Sequence, residues 1–290
     1  MASELGNVDL IVRDATIDGA REDVAVRGGV IVARGAGVAI GATAPVEIDA
    51  AGGILTSPFV EPHSHPDKVY SRERIAELGL TPNGPRDVLM QRQRDLKAAF
   101  TVADVTARAT RFLRACAQEG VGLVAGQADI DSITGLASVE GVLAARDACD
   151  DIVETVVTAF PQEGMVADQR AHALVATALE LGADRVGGWP NNERTPEDRL
   201  AHLRMVFGLA ERFGRPIDIN VDYFTDPSER LLEPLAELTI ATGMQGLVNA
   251  NHVGALETYA ADDARRVIDK VAAAGISITV CPTNLVGSYP

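Results

Sequence analysis

The 290-residue sequence predicts an α/β fold, a TIM-type (β/α) barrel with seven of its eight strands visible and a small N-terminal β-sandwich portion ahead of it. Three observations carry this reading. From Ile54 onward, short β-branched runs alternate with longer amphipathic segments, which argues for a parallel sheet with crossover helices. Seven such runs fall within residues 54–290, close to the roughly 250 residues of a complete eight-unit barrel. Before Ile54 the pattern differs, with short strands around Gly-rich turns. The expected organisation is a sandwich segment over 1–53 and a barrel over 54–290, incomplete at its C-terminus.

In the first segment the runs Val8–Arg13, Asp23–Arg27 and Gly29–Arg34 read as strands, with Asp18-Gly19 and Gly28-Gly29 as turns. Barrel strands are expected at Ile54–Val60, Gly122–Ala128, Ile152–Phe160, Asp184–Gly187, Ile217–Val221, Leu247–Asn251 and Ser277–Cys281. Helices are expected near 101–118, 138–148, 168–181, 196–213, 228–242 and 261–274. Thr195-Pro196-Glu197-Asp198 supplies an N-cap, a proline at the first helical position and early acidic residues. Asp226-Pro227-Ser228-Glu229 repeats the arrangement and predicts a second helix start.

Composition narrows the function. Lys plus Arg is 26 and Asp plus Glu is 41, a formal net charge of −15. That surface repels phosphate backbones and anionic lipid, so neither nucleic acid nor a membrane surface is an expected partner. No run approaches the roughly 20 apolar residues that span a bilayer. The start, Met-Ala-Ser-Glu-Leu-Gly-Asn, lacks the basic and apolar regions of a secretory signal. Cys116, Cys149 and Cys281 are far apart and odd in number, without a disulfide or zinc-finger spacing, so a reduced, cytoplasmic compartment is expected. Cys116 and Cys149 fall on predicted helices and read as small core residues. His172 and His202 also fall on predicted helices and read as surface residues.

The chemistry concentrates at Ile54-Leu-Thr-Ser-Pro-Phe-Val-Glu-Pro-His-Ser-His-Pro-Asp-Lys68. His63 and His65 are separated by one residue, and residues i and i+2 of a strand share a face. Two imidazoles leaving one strand end together form a candidate site for a divalent ion such as zinc or iron. A catalytic zinc site ordinarily has three protein ligands and one open position.

These residues resemble the amidohydrolase superfamily, most closely its cytosine deaminase-like branch. The motifs are Pro58-Phe-Val-Glu-Pro-His-Ser-His65, Ala159-Phe-Pro-Gln-Glu-Gly164, Leu181-Gly-Ala-Asp-Arg-Val-Gly187, Ile217-Asp-Ile-Asn-Val-Asp222 and Asn249-Ala-Asn-His252. The resemblance implies a barrel with its site at the carboxyl ends of the strands and one divalent ion, zinc or iron, held by His63 and His65. It implies that His252 orients the attacking water, that Gln162 reads the amide edge of a pyrimidine-like ring, and that partners are a small-molecule substrate and other copies of the chain. The reaction it implies is cleavage of a non-peptide C–N bond in a small cyclic amide or amidine.

The sequence departs from that pattern at defined positions. Asn220 stands where the resemblance expects a fifth-strand histidine ligand, and Tyr223 where it expects a proton-carrying glutamate. Gly126-Gln127-Ala128-Asp129 replaces a Thr-His-x-Asp second strand. The eighth-strand aspartate has no counterpart before Tyr289-Pro290. Asp222, two residues beyond Asn220, is a candidate catalytic carboxylate beside His252, while Trp189 and Asn220 join Gln162 as candidate substrate contacts. The alternative is an incomplete or non-catalytic relative that binds a small ligand without turnover.

Overall fold

The computed structural model describes residues 5–80 and 85–282, so the start Met1–Glu4 and the C-terminal Tyr289-Pro290 lie outside the described residues. Contacts divide the chain into two units, one ending at Pro58 and one beginning at Phe59.

The first unit holds β1 (Leu10–Ile17), β2 (Ala20–Arg27), β3 (Val30–Gly35) and β4 (Val46–Asp49). They form one four-stranded sheet in the order β3-β2-β1-β4. β1–β2 and β2–β3 pair antiparallel, and β4 joins β1 in parallel. The tight Asp18-Gly19 turn between β1 and β2 places both residues at positive φ, as a two-residue hairpin turn of this hand requires. β4 was not expected, because its Val-Glu-Ile-Asp is short and exposed throughout.

The second unit is the barrel. Its elements are β5 (Phe59–Ser64), α1 (Arg72–Glu77), α2 (Arg86–Lys97), α3 (Val102–Gln118), β6 (Val121–Asp129), α4 (Ala137–Asp147), β7 (Glu154–Phe160), α5 (Ala171–Leu181), β8 (Arg185–Val186), α6 (Pro196–Phe213), β9 (Ile217–Val221), α7 (Leu232–Ala241), β10 (Val248–His252), α8 (Ala261–Ala273) and β11 (Ser277–Thr279). The seven strands β5–β11 form one parallel sheet in sequential order, a nearly closed barrel whose two ends are β5 and β11. Val105, Leu113, Val142, Val175, Leu203, Phe207, Leu232 and Leu235 bury the inward helix faces against Val124, Val157, Ile217, Ile219 and Ala250 of the strands. At roughly 25 cal/mol per Å² of apolar surface removed from water, this layer is the main source of stability.

Two starts differ from expectation. The first barrel strand is shifted towards its C-terminal side, occupying Phe59–Ser64 instead of Ile54–Val60. Pro58 separates Ile54–Ser57 from the ladder, and the paired strand continues through the polar Glu61 and across Pro62. Helix α7 begins at Leu232, not near Ser228. The Asp226 Oδ1 accepts the Ser228 N–H at 2.8 Å in a local turn, while the carboxylate that receives the amides of Leu231 and Leu232 belongs to Asp222. The Thr195 cap is as expected, its hydroxyl accepting the Asp198 N–H at 3.1 Å.

Candidate active site

The β5 ladder shifts register between Glu61 and Ser64, and His63 and His65 straddle its end. Their rings lie edge to face with centroids 5.4 Å apart. Both Nδ1 atoms are buried without a hydrogen-bond partner. Burial is the main force lowering the pKa of each imidazole, and the Lys68 ammonium pushes both the same way. For His63 the Asp218 carboxylate opposes that shift. The rings are thereby held neutral, the form that offers a lone pair to a cation.

His252 arrives from β10 through strained backbone. It has φ +74° and Val253 has φ +55°, left-handed values that a β-branched valine adopts only where its surroundings enforce it. Strict alternation after Asn249 and Asn251, both bonded inside the barrel to Asp218, would turn His252 to the opposite face. The left-handed turn instead sets its ring 4.9 Å from that of His63 and 4.2 Å from that of Tyr223. Burial and the His63 ring hold its pKa down to about 3.

These spacings suit a shared ion. With metal–nitrogen bonds of about 2.1 Å and tetrahedral angles, two imidazole centroids on one ion lie roughly 5 Å apart. The observed 5.4 Å and 4.9 Å bracket that figure. The neutral rings and orphaned Nδ1 atoms suit a divalent cation of the zinc type, and the donor atoms fall into two groups, His63 and His252 with Cys281, and His65 with Asp67 and Asp129.

Aromatic rings wall one side. Trp189 is buried, with centroids 5.7 Å from Tyr223 and 6.4 Å from Phe224, and its Nε1 has no partner. Tyr223, in the expected place of the proton-carrying glutamate, packs directly on His252. Asn220 is buried inside the barrel with an unpartnered Oδ1.

Asp222 behaves differently from its sequence reading. Its carboxylate accepts from Leu231 N (2.8 Å), Leu232 N (2.9 Å), Asn191 Nδ2 (3.1 Å) and the Tyr259 hydroxyl (3.3 Å). Those donors occupy both oxygens and tie them to the start of α7, which leaves no lone pair for a reacting proton. Asp222 is a brace for the loop after β9.

Gln162 is also committed. Its Oε1 accepts from Lys68 Nζ, and its carbonyl accepts from Asn192 Nδ2 at 2.8 Å. Lys68 pairs with Asp129 at 2.7 Å. Lys97, fully buried, bridges Asp129 (3.2 Å), Asp131 (2.6 Å) and Glu163 (2.8 Å), and Arg94 closes on Glu163 at 2.8 Å. The three carboxylates hold the Lys97 ammonium charged against the penalty of burial. Gly164 follows at φ +99°, and a Cβ there would meet Glu193 Oε1 at 2.6 Å. That glutamate accepts the amides of Met165, Val166 and Ala167 and holds His202 Nδ1 at 2.8 Å. His202 is therefore a buried structural histidine, not a surface one. Cys149 is buried just past α4, whereas Cys116 on α3 is half-buried.

Sequence reasoning missed Lys68, Lys97 and Cys281. Lys68 was readable as the close of His-Ser-His-Pro-Asp-Lys. Lys97 carried no signal, since a lysine on an amphipathic helix reads as solvent-facing. Cys281 shares strand parity with Ser277 and Thr279, and Thr279 Oγ1 bonds inside the barrel to Asn249 Oδ1 at 3.2 Å.

No family model matches the chain. It is 27% identical over 249 residues to an N-isopropylammelide isopropyl amidohydrolase of Pseudomonas sp. (strain ADP), covering 84% of this chain and 60% of that protein. It is 31% identical over 244 residues to a pterin deaminase of Rhizobium rhizogenes, covering 83% of this chain and 54% of that one. The chain thus spans little more than half the length of these two relatives. The fold superposes on a 5-methylcytosine deaminase from Klebsiella pneumoniae, liganded with 5-fluorocytosine, with a TM-score of 0.85 at 29% identity over 94% of this chain and 67% of that one. The chain is thus similar, in sequence and to a solved structure, to deaminases and amidohydrolases.

Proposed function

We propose that this chain carries the site of a metal-dependent hydrolase that cleaves a non-peptide C–N bond in a small cyclic amide or amidine, in the manner of a deaminase. The observation that carries the reading is the meeting of His63 with both His65 and His252, ring to ring at 5.4 Å and 4.9 Å, with two buried nitrogens unpartnered. The similarity to deaminases and amidohydrolases acting on ring compounds supports it.

His63 and its neighbours His65 and His252 are the candidate holders of one divalent ion, zinc or iron, with the His63 and His252 ring nitrogens within 4.8 Å of each other. When bound, such an ion supplies the Lewis acidity that makes water nucleophilic near neutral pH. The rest falls to the chain. Trp189, Tyr223 and Phe224 exclude water and offer flat faces to a ring. Gln162, its oxygen held by Lys68, has its amide NH₂ left to donate to a ring carbonyl. Tyr223, whose ring packs against His252, brings a phenol beside the imidazole cluster that can donate a hydrogen bond there. Asp222 positions this loop. Among the described residues no helix is long and apolar enough to cross a membrane.

The saturation of Asp222 and the Asn220 and Tyr223 exchanges favour a second reading, in which the same pocket binds a ring compound without turning it over. One experiment separates the two. Elemental mass spectrometry on the purified chain is expected to give near one equivalent of zinc or iron, lost in His63→Ala, together with ammonia or amine release from a panel of cyclic amides and amidines. Metal without turnover selects the binding protein. Absence of metal after reconstitution rejects both the ion and the hydrolase.

A further inference from the structure

Among the described residues, three of the carboxylates near the imidazoles are committed. Asp222 accepts four donors from the loop after β9 and its neighbours. Asp129 is shared by two lysines. Asp218 accepts from Gln127, Thr158, Asn249 and Asn251 deeper in the barrel. Among the described residues, the Asp67 carboxylate groups with His65 and Asp129, and a sulfur donor lies with the other two imidazoles. The Sγ of Cys281 and ring nitrogens of His63 and His252 all lie within 4.8 Å of one another.

Independent observations point the same way. His252 is only 7% exposed and its ring meets those of His63 and Tyr223. His63 Nδ1 is buried with no partner. The residue just past β11 inherits the inward parity of Thr279, so the thiol enters the lumen from the strand beside β10.

We propose that Cys281 supplies a thiolate ligand to the ion, alongside His63 and His252, in the role that Asn220 cannot fill. This rests on the metal reading above. A neutral Asn oxygen is a weak ligand for a borderline-soft ion, whereas a thiolate is a strong one and adds a negative charge. A free cysteine thiol is mostly protonated near neutral pH. Binding releases that proton to solvent and forms one sulfur–metal bond, with no oxidation or reduction.

The test uses the full chain loaded with Co²⁺ alone. A thiolate-to-cobalt charge-transfer band in the near ultraviolet is expected. It should vanish in Cys281→Ser and persist in Cys116→Ser, with cobalt affinity falling about tenfold or more in the first and unchanged in the second. If Cys281→Ser fails to fold, alkylation of the wild-type chain decides, with Cys281 modified at least tenfold more slowly when cobalt is bound. One equivalent of cobalt with no band, or a band that survives Cys281→Ser, overturns the ligand assignment and leaves the metal reading standing. No cobalt in the wild-type chain overturns both.

Discussion

The His63–His65 pair and Asp222, on two sides of the barrel mouth, treat their polar groups in opposite ways. On the β5 side, His63 and His65 carry buried nitrogens with no partner. On the β9 side, the Asp222 carboxylate is fully used by Leu231, Leu232, Asn191 and Tyr259. A buried polar group without a partner costs free energy, and a chain keeps one where something outside the chain completes it. A satisfied group stabilises the fold and is unavailable for chemistry. On the proposed reading, His63 and His65 belong to the binding side and Asp222 serves as scaffold. Between them stands the Lys97 cluster, a third case in which charges complete one another.

That contrast breaks most visibly at Lys97. In Lys97→Met, Asp129, Asp131 and Glu163 lose their shared cation, while Lys68 and Arg94 remain. Breaking a buried ion pair from one side costs roughly 3–5 kcal/mol. Urea denaturation is expected to show that loss, and a change under about 1 kcal/mol would mean that the three carboxylates take up protons without penalty.

Asp222 is the next test. Asp222→Ala strands two backbone amides and the Tyr259 hydroxyl and removes a negative charge from the start of α7, a loss of about 2–3 kcal/mol. His63→Ala, at an unpartnered nitrogen, is expected to cost clearly less stability while abolishing metal binding. Equal losses in the two variants would erase the distinction between scaffold and site.

How far the sequence disclosed this difference follows from where the signal resides. β9 is found at Ile217–Val221 as expected, because its β-branched residues recur on the face that meets the helices. The His-x-His motif is legible because both residues leave one strand end. The shift of β5 was not legible, since Pro62 and Glu61 read as loop although the ladder runs through them. Asp222 read as catalytic because it follows Asn220 by two. Its left-handed φ of +49° turns it towards α7, which no spacing rule anticipates. Lys97 gathers carboxylates from three separate segments, and His202 is buried because Glu193 folds back onto it, so both depend on tertiary contacts alone.

Backbone strain gives a finer measure of which side is built for binding. At φ +74°, His252 would be replaced more comfortably by glycine than by alanine. His252→Gly is expected to be about 1 kcal/mol more stable than His252→Ala, with both equally deficient in metal. Equal stabilities would show that the β10 turn relaxes once the ring is gone, and that the strain is imposed by the ring's place against His63 and Tyr223.

A last, pH-dependent effect sits in the scaffold itself. Glu229, mostly buried beside Asp222, is pushed up to about 7, first by burial and then by the Asp222 and Asp226 carboxylates, with the Phe224 N–H acting in the opposite direction. The folded chain therefore binds this proton more tightly than the unfolded chain, where the ordinary value is 4.5. The stability it contributes is complete below about pH 4.5 and is lost as pH rises through about 7. Glu229→Gln mimics the protonated form and keeps the side chain's shape. Denaturation midpoints across that range are expected to fall with pH in the parent chain and to fall less in the variant, converging at the acid end. Parallel curves would place the Glu229 proton in water and detach it from Asp222, and the β9 loop would then depend on Asp222 alone for its shape.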